Sequence, residues 1–209
     1  SALAELIGTA ENVLIMGHQF ADLDCLGSAV GMYKAVRQMG KPAAIVLNRQ
    51  RNLAFPLYNR LAQNGYADAF VEPDLAVDLI GKKTLLVVVD THLPHILESR
   101  EVYNACKTVV VIDHHRKMVG HIDNAVIFYH EPYASSASEM VTELVQYFGD
   151  NVKIGKMEAE ALLSGIMLDT KNFVMKTGVR TFEAAAFLRR KGADTVEVKR
   201  LFSNSIDTY

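Results

Sequence analysis

The chain has 209 residues, half of them hydrophobic, a formal net charge of −2, and aromatics at 8% with no tryptophan. That length and apolar content suffice for one large α/β domain or two small ones. Near-neutral charge and few aromatics weigh against a dedicated binder of long nucleic acid, which needs a basic, base-stacking surface.

A short helix over residues 2–9 leads into an apolar strand, Val13–Met16, and then a loop from Gly17 to Asp24. A helix over 25–39 is closed by Gly40 in the C′ position. Ala43–Leu47 is a strand, a helix around 54–64 ends at Gly65, Ala69–Val71 is a short strand, and Leu75–Ile80 makes one or two helical turns. Leu85–Val89 and Val109–Ile112 are continuous aliphatic runs, as in strands buried on both faces of a parallel sheet. Ala125–Tyr129 is a further strand, placed at an edge. Beyond it the periodicity turns helical over 136–148, 156–168, 180–191 and 195–202. Alternating strands and helices to about residue 130 predict a doubly wound, mainly parallel sheet of about five strands flanked by helices. The sheet core covers about 10–130, and a helical part, about 135–209, packs on it in the same domain. Cys25 and Cys106 lack CxxC spacing, which points to a reducing compartment. No apolar run of about 18 residues is present to span a membrane, and no signal peptide is evident. The chain is therefore expected to be cytoplasmic. Its abrupt start and end suggest an excised domain.

Three strands deliver polar residues of one kind at their C-terminal ends. His18-x3-Asp22-x-Asp24 follows the run Val13–Met16, Asp90 ends the run Leu85–Val89, and Asp113-His114-His115 follows the run Val109–Ile112. In an open parallel sheet that edge is where ligands bind. Asp22, Asp24, Asp90 and Asp169 are four carboxylates from three distant segments, costly to gather without cations. Two divalent ions would balance them, His18 and His114 would add imidazoles, and Asp90 is the natural bridge. That is the layout of a two-metal hydrolase of phosphate esters, with ions about 3.5–4 Å apart. Asp22 and Asp24, two apart in an extended or turning segment, would serve one ion each. Oxygen and nitrogen donors favour Mn2+, with Mg2+, Fe2+ and Zn2+ as alternatives. Cys25 beside the cluster is expected to be a small packed residue. Singly, Asp22, Asp24, Asp90 or Asp113 could be no more than a helix cap.

These motifs resemble the DHH phosphoesterase family, named for the triplet at 113–115. His18-x3-Asp22-x-Asp24 matches its first motif, Val-Val-Asp90-Thr-His92 its second, and Gly165-Ile-Met-Leu-Asp169-Thr-Lys-Asn-Phe173 its fourth, over roughly residues 12–175. Asp90-Thr-His92, Glu131-Pro-Tyr-Ala-Ser-Ser-Ala-Ser138-Glu139 and Asp169-Thr-Lys-Asn-Phe173 resemble the GdpP/YybT-type cyclic di-AMP phosphodiesterases most. The resemblance implies that His18, Asp22 and Asp90 hold one Mn2+. Asp24, Asp90, His114 and Asp169 then hold the other, and His115 contacts the scissile phosphate. It also implies cleavage of a small cyclic dinucleotide to linear pApA, with a homodimer allowed. Gln19, Ala21 and Leu93 stand where relatives commonly carry a basic residue, a proline and a polar or basic residue. Family members carry a C-terminal DHH-associated domain with a Gly-rich His motif. That motif is absent here, as are the N-terminal membrane helices of the nearest type, so the chain is expected to be the catalytic half of a membrane-anchored protein. Alternatives within the family are an oligoribonuclease or pApA phosphatase and a pyrophosphatase. Outside catalysis, the chain would be a fragment that binds metal or nucleotide and is inactive alone.

Further residues are weighed on their own chemistry. Ser136 with Glu139 fits a capping box, and Ser135 and Ser136 at a helix N-terminus could also contact phosphate. Arg116 would stabilise phosphoryl charge or belong to a solvated surface pair with Lys117. His92 would orient a ligand or a substrate phosphate. His95, His121 and His130 read as structural or surface residues. Arg189-Arg190-Lys191 before Gly192 reads as a solvated helix end, and Lys199-Arg200 likewise.

Overall fold

The computed structural model describes residues 1–206. Six strands form one parallel sheet: β1 (Asn12–Met16), β2 (Ala43–Val46), β3 (Phe70–Val71), β4 (Thr84–Val89), β5 (Thr108–Asp113) and β6 (Ile127–His130). Their order is β3-β2-β1-β4-β5-β6. Every neighbouring pair is parallel, and the six strands fall on the six segments read as strands in the sequence. The chain winds outward from β1 in one direction and from β4 in the other. The crevice at their C-terminal ends is thus the switch point where such sheets bind ligands.

Alternate strand residues face two different cores. Val13, Ile15, Leu85, Val87, Val89, Val110 and Ile112 point into the larger one. Leu14, Met16, Leu86, Val88, Val109 and Val111 point into the smaller. Burial on both faces explains why the central strands read as unbroken aliphatic runs. Two short helices, α4 (Pro73–Val77) and α5 (Arg100–Ala105), contribute Ala76 and Val102 to the smaller core. Helix α5 was not expected from the sequence. It is six residues long, and its main local signal is Ser99, whose Oγ accepts from the Val102 amide at 3.1 Å.

The thicker face carries α1 (Ala2–Thr9), α2 (Leu23–Gln38), α3 (Phe55–Leu61), α6 (Ala137–Val145), α7 (Lys156–Asp169), α8 (Val179–Arg190) and α9 (Thr195–Ile206). The helical C-terminal part shares one core with the sheet, as expected. Helix α2 starts inside the expected loop, at Leu23, because Asp22 caps it by accepting from the Cys25 amide at 2.9 Å. The expected helix over 54–64 ends earlier, at Leu61. Asn64 and Gly65 leave helical geometry, with φ −127° and +96°. Helices α2 and α7 approach closely through glycine: a β-carbon on Gly165 would lie 2.1 Å from Ser138 Oγ and 2.9 Å from Asp24 Cα. Gly165 thereby lets Asp24 and Asp169 share one edge of the molecule. Among the described residues no helix is long and apolar enough to cross a membrane.

Candidate metal centre

Asp90 stands where β4 ends, in the left-handed region at φ +63°. A non-glycine residue costs energy there and is held by its surroundings, a pattern frequent at functional sites. Its amide donates to the Ile112 carbonyl at 3.0 Å, which fixes the carboxylate between two histidines. Oδ2 lies 3.1 Å from His18 Nε2, and Oδ1 lies 3.2 Å from His114 Nε2.

Around His114 the donors converge further. Its Nε2 lies 3.2 Å from Asp169 Oδ2 and 3.5 Å from Asp24 Oδ2. One ring nitrogen carries at most one proton, so it cannot serve three carboxylates by hydrogen bonding. Asp24, Asp90, His114 and Asp169 present one donor atom each, all within 4.8 Å of one another. Such an O3N set suits a divalent cation. Around His18, Asp90 and Cys25 form a second such group, and Asp22 Oδ1 lies 3.9 Å from His18 Nε2. All six expected ligands thus gather at one place, and Asp90 belongs to both groups. The donor set fits two cations sharing a carboxylate.

The two neighbouring aspartates differ in setting. Asp22 is the helix cap and is partly exposed, whereas Asp24 lies in the first turn of α2 and is fully buried. The Asp24 carboxylate also accepts from the Ala137 and Ser138 amides at 2.9 and 2.8 Å, so it occupies the N-terminus of α6 as an anion favoured by the helix dipole.

Crowding and burial shift these acids in different directions. Burial, with the Asp24 charge, pushes the Asp90 carboxyl up to about 7, and burial lifts Asp169 to about 6. Burial also raises Asp22, with the Asp24 charge adding to it. At Asp24 burial pushes the same way, but the contact with His114 and the hydrogen bond from the Ser138 amide outweigh it and hold the carboxyl below its usual range. Burial disfavours the His114 imidazolium, yet its contacts with Asp169, Asp24 and Asp90 lift it to about 12. Divalent ions would displace these protons, as metal binding does at acidic and imidazole sites.

Asp113 is fully buried and serves as a brace. Its carboxylate accepts from His92 Nδ1 at 2.6 Å, His115 Nδ1 at 2.7 Å and the His114 amide at 2.9 Å. Burial opposes its charge, but the bonds from His115 and His92 bring it down to about 2. The bond to Asp113 raises His115 in turn. Neither Asp90 nor Asp113 opens a helix, so both escape the simple capping role.

A cleft of about 680 Å³ opens beside the centre, lined by His115, Arg116, Tyr133 and Lys176 among others. Of the five residues expected to bind substrate, His115 and Arg116 reach it. His92 is 1% exposed, and its second nitrogen accepts from the Met118 amide at 3.1 Å. Ser135 and Ser136 are fully buried. Ser136 caps α6 by accepting from the Glu139 amide, and the two hydroxyls contact each other at 3.1 Å. Tyr133 and Lys176 were missed, because neither belongs to a motif whose chemistry stands out in sequence. His130 donates to the His115 carbonyl and His121 contacts that of Met118, so both support the loop after β5. Arg189 donates to the Ala193 carbonyl at the end of α8, in keeping with a helix terminus.

The sequence pattern of the DHH family, N-terminal domain, matches residues 12–166, more than half of the chain. A cyclic-di-AMP phosphodiesterase GdpP of Geobacillus thermodenitrificans is 44% identical over 212 residues, covering 100% of this chain and 32% of its own length. The protein of the same name from Bacillus subtilis is 41% identical over 211 residues, with the same coverage of each. This chain therefore spans about a third of the length of those relatives. Among solved structures, an exopolyphosphatase-related protein from Bacteroides fragilis superimposes with a TM-score of 0.82 at 22% identity. The overlap covers 97% of this chain and 59% of that one, a likeness of fold. From the match over residues 12–166 and these relatives, the chain is a member of the DHH family.

Proposed function

We propose that this chain carries the two-metal centre of a phosphodiesterase that opens cyclic di-AMP to linear pApA. The observation that carries the reading is Asp90, whose two oxygens face two separate histidines. His18, Asp22 and Asp90 would hold one Mn2+, and Asp24, Asp90, His114 and Asp169 the other. Ions bound there lower the pKa of water and neutralise charge on phosphoryl oxygens. The chain's own residues orient the phosphate. His115, anchored through Nδ1 to Asp113, which favours its imidazolium form, would donate from Nε2 to a phosphoryl oxygen at the cleft wall. Arg116 adds a fixed positive charge on the same wall. The relatives' names support a cyclic dinucleotide substrate. Near-neutral net charge supports a small substrate over a long strand.

The test is incubation of the Mn2+-loaded chain with cyclic di-AMP, with products separated by chromatography and bound metal counted. Two ions per chain and conversion to pApA are expected. If two ions bind while cyclic di-AMP, pApA and short oligonucleotides all stay intact, the chain is a metal-binding module and the phosphodiesterase reading fails.

A further inference from the structure

Cys25 lies on the first turn of α2, one residue after Asp24, and is 3% exposed. Its sulfur is pressed against the exit of β1, because a β-carbon on Gly17 would come within 2.0 Å of Sγ. Gly17 joins β1 to His18, so the thiol is carried to the strand ends at the switch point between β1 and β4. There the sulfur, a His18 ring nitrogen and an Asp90 oxygen all lie within 4.8 Å of one another. His18 Nδ1 is engaged at 2.7 Å with the Gln19 carbonyl. That leaves Nε2, 3.1 Å from Asp90, to face the group.

The two groups that share Asp90 therefore differ in kind. One is built of carboxylates and a single imidazole. The other adds sulfur, and soft thiolate ligands favour Zn2+ and related ions over Mn2+ and Mg2+. Resting on the two-ion reading above, we propose that Cys25 is a further direct ligand on the His18 side, where it leaves Mn2+ accepted and makes Zn2+ and Co2+ bind more tightly than carboxylate and imidazole alone would. The His114 side remains a hard-ion position, so the centre is chemically asymmetric. On binding, the S–H bond breaks, its proton leaves to solvent, and the sulfur lone pair goes to the ion. No oxidation state changes.

A cobalt titration of the metal-free chain, followed by optical absorption, tests this. Two Co2+ should bind, and an intense near-ultraviolet thiolate-to-cobalt band should grow with one equivalent only. Cys25 and Cys106 are the two cysteines of the chain, so Cys106→Ser should keep the band. Cys25→Ser and Cys25→Ala should lose it and weaken Zn2+ binding at that position at least about 10-fold. One equivalent of Zn2+ should erase the band and leave the visible bands of the second cobalt. Two Co2+ bound without the band, or a band lost in Cys106→Ser, overturns the proposal and leaves the two-ion centre standing. Failure of the unaltered chain to bind Co2+ overturns the two-ion reading itself. The Cys106→Ser spectrum decides the matter even if both Cys25 variants fail to fold.

Discussion

On its His114 side the centre is walled by packing. Asp24, Asp90 and His114 are 0%, 2% and 5% exposed, two amides of α6 hold Asp24, and α7 presses against it through Gly165. The His18 side is an open loop, with His18 and Asp22 side chains 17% and 33% exposed. A backbone strap ties that loop down: the Gln19 amide donates to Ile96 at 2.7 Å, and the Glu98 amide donates to Gly17 at 2.9 Å. One side is rigid because helices meet there, and the other is held by a few main-chain bonds. For Mn2+, the first should bind more tightly, and the second should exchange with solvent first.

Asp90 is the single side chain both sides share, so removing it should abolish the contrast. In Asp90→Ala both ions should weaken together, with fewer than one ion retained per chain in equilibrium dialysis. Hydrolysis should fall on the order of 10³-fold, the scale of losing a preorganised electrostatic group. Retention of one full ion would mean that Asp90 is not the bridge.

Gly165→Ala should damage the packed side alone. The added methyl meets Ser138 Oγ and the Asp24 backbone, and overpacking of this kind costs about 1–3 kcal/mol. The denaturant midpoint should drop, and the first ion lost should be the one on the His114 side. Unchanged stability with both ions kept would show that the α2–α7 approach does not make that side tight.

Much of this contrast was hidden in the sequence. The gathering of the six expected ligands was readable because His18, Asp90 and His114 lie at or just beyond the ends of aliphatic runs, and strand ends of a parallel sheet converge. The setting of Asp24 was not, since it depends on a helix that begins two residues earlier than the apolar pattern suggests, and on the N-terminus of α6 more than a hundred residues away in sequence. Asp113 drew attention only as part of a triplet. Its role as brace needs His92, 21 residues upstream. His92 reads in sequence as a residue that orients a ligand or a substrate phosphate, and only the fold shows it buried behind Asp113. Ser135 and Ser136 show the same limit: a capping pattern says that a helix starts, but not whether solvent reaches it.

The brace yields a smaller effect. His92→Ala removes one of the two imidazoles bonded to Asp113 and the acceptor for the Met118 amide. Changing the partners behind a metal site costs about 10–100-fold. That loss should appear in kcat, with both ions still bound, because His115 loses its orientation while neither side loses a ligand. A loss of bound metal instead would place His92 in support of the His114 side directly.

The smallest effect sharpens the other half of the comparison, through the strap that holds the open side. Glu98 is part of it, and one of its carboxylate oxygens is buried without a hydrogen-bond partner. Burial raises the carboxyl from 4.5 to about 7, against a partly offsetting bond from the Asn48 amide. Between those values the folded chain holds more proton than the unfolded one, so stability falls as pH rises through that window. Above it the full cost of the buried charge remains. Glu98→Gln cannot ionise and should be more stable than the parent at about pH 8, by about 1 kcal/mol once solvent screening of a partly exposed group is allowed for. Below about pH 4.5 the two should unfold alike. Denaturant melts of the metal-free proteins at both pH values measure the difference. Equal stability at both would mean that the strap carries no buried charge, and that the open side is held by its main-chain bonds without electrostatic strain.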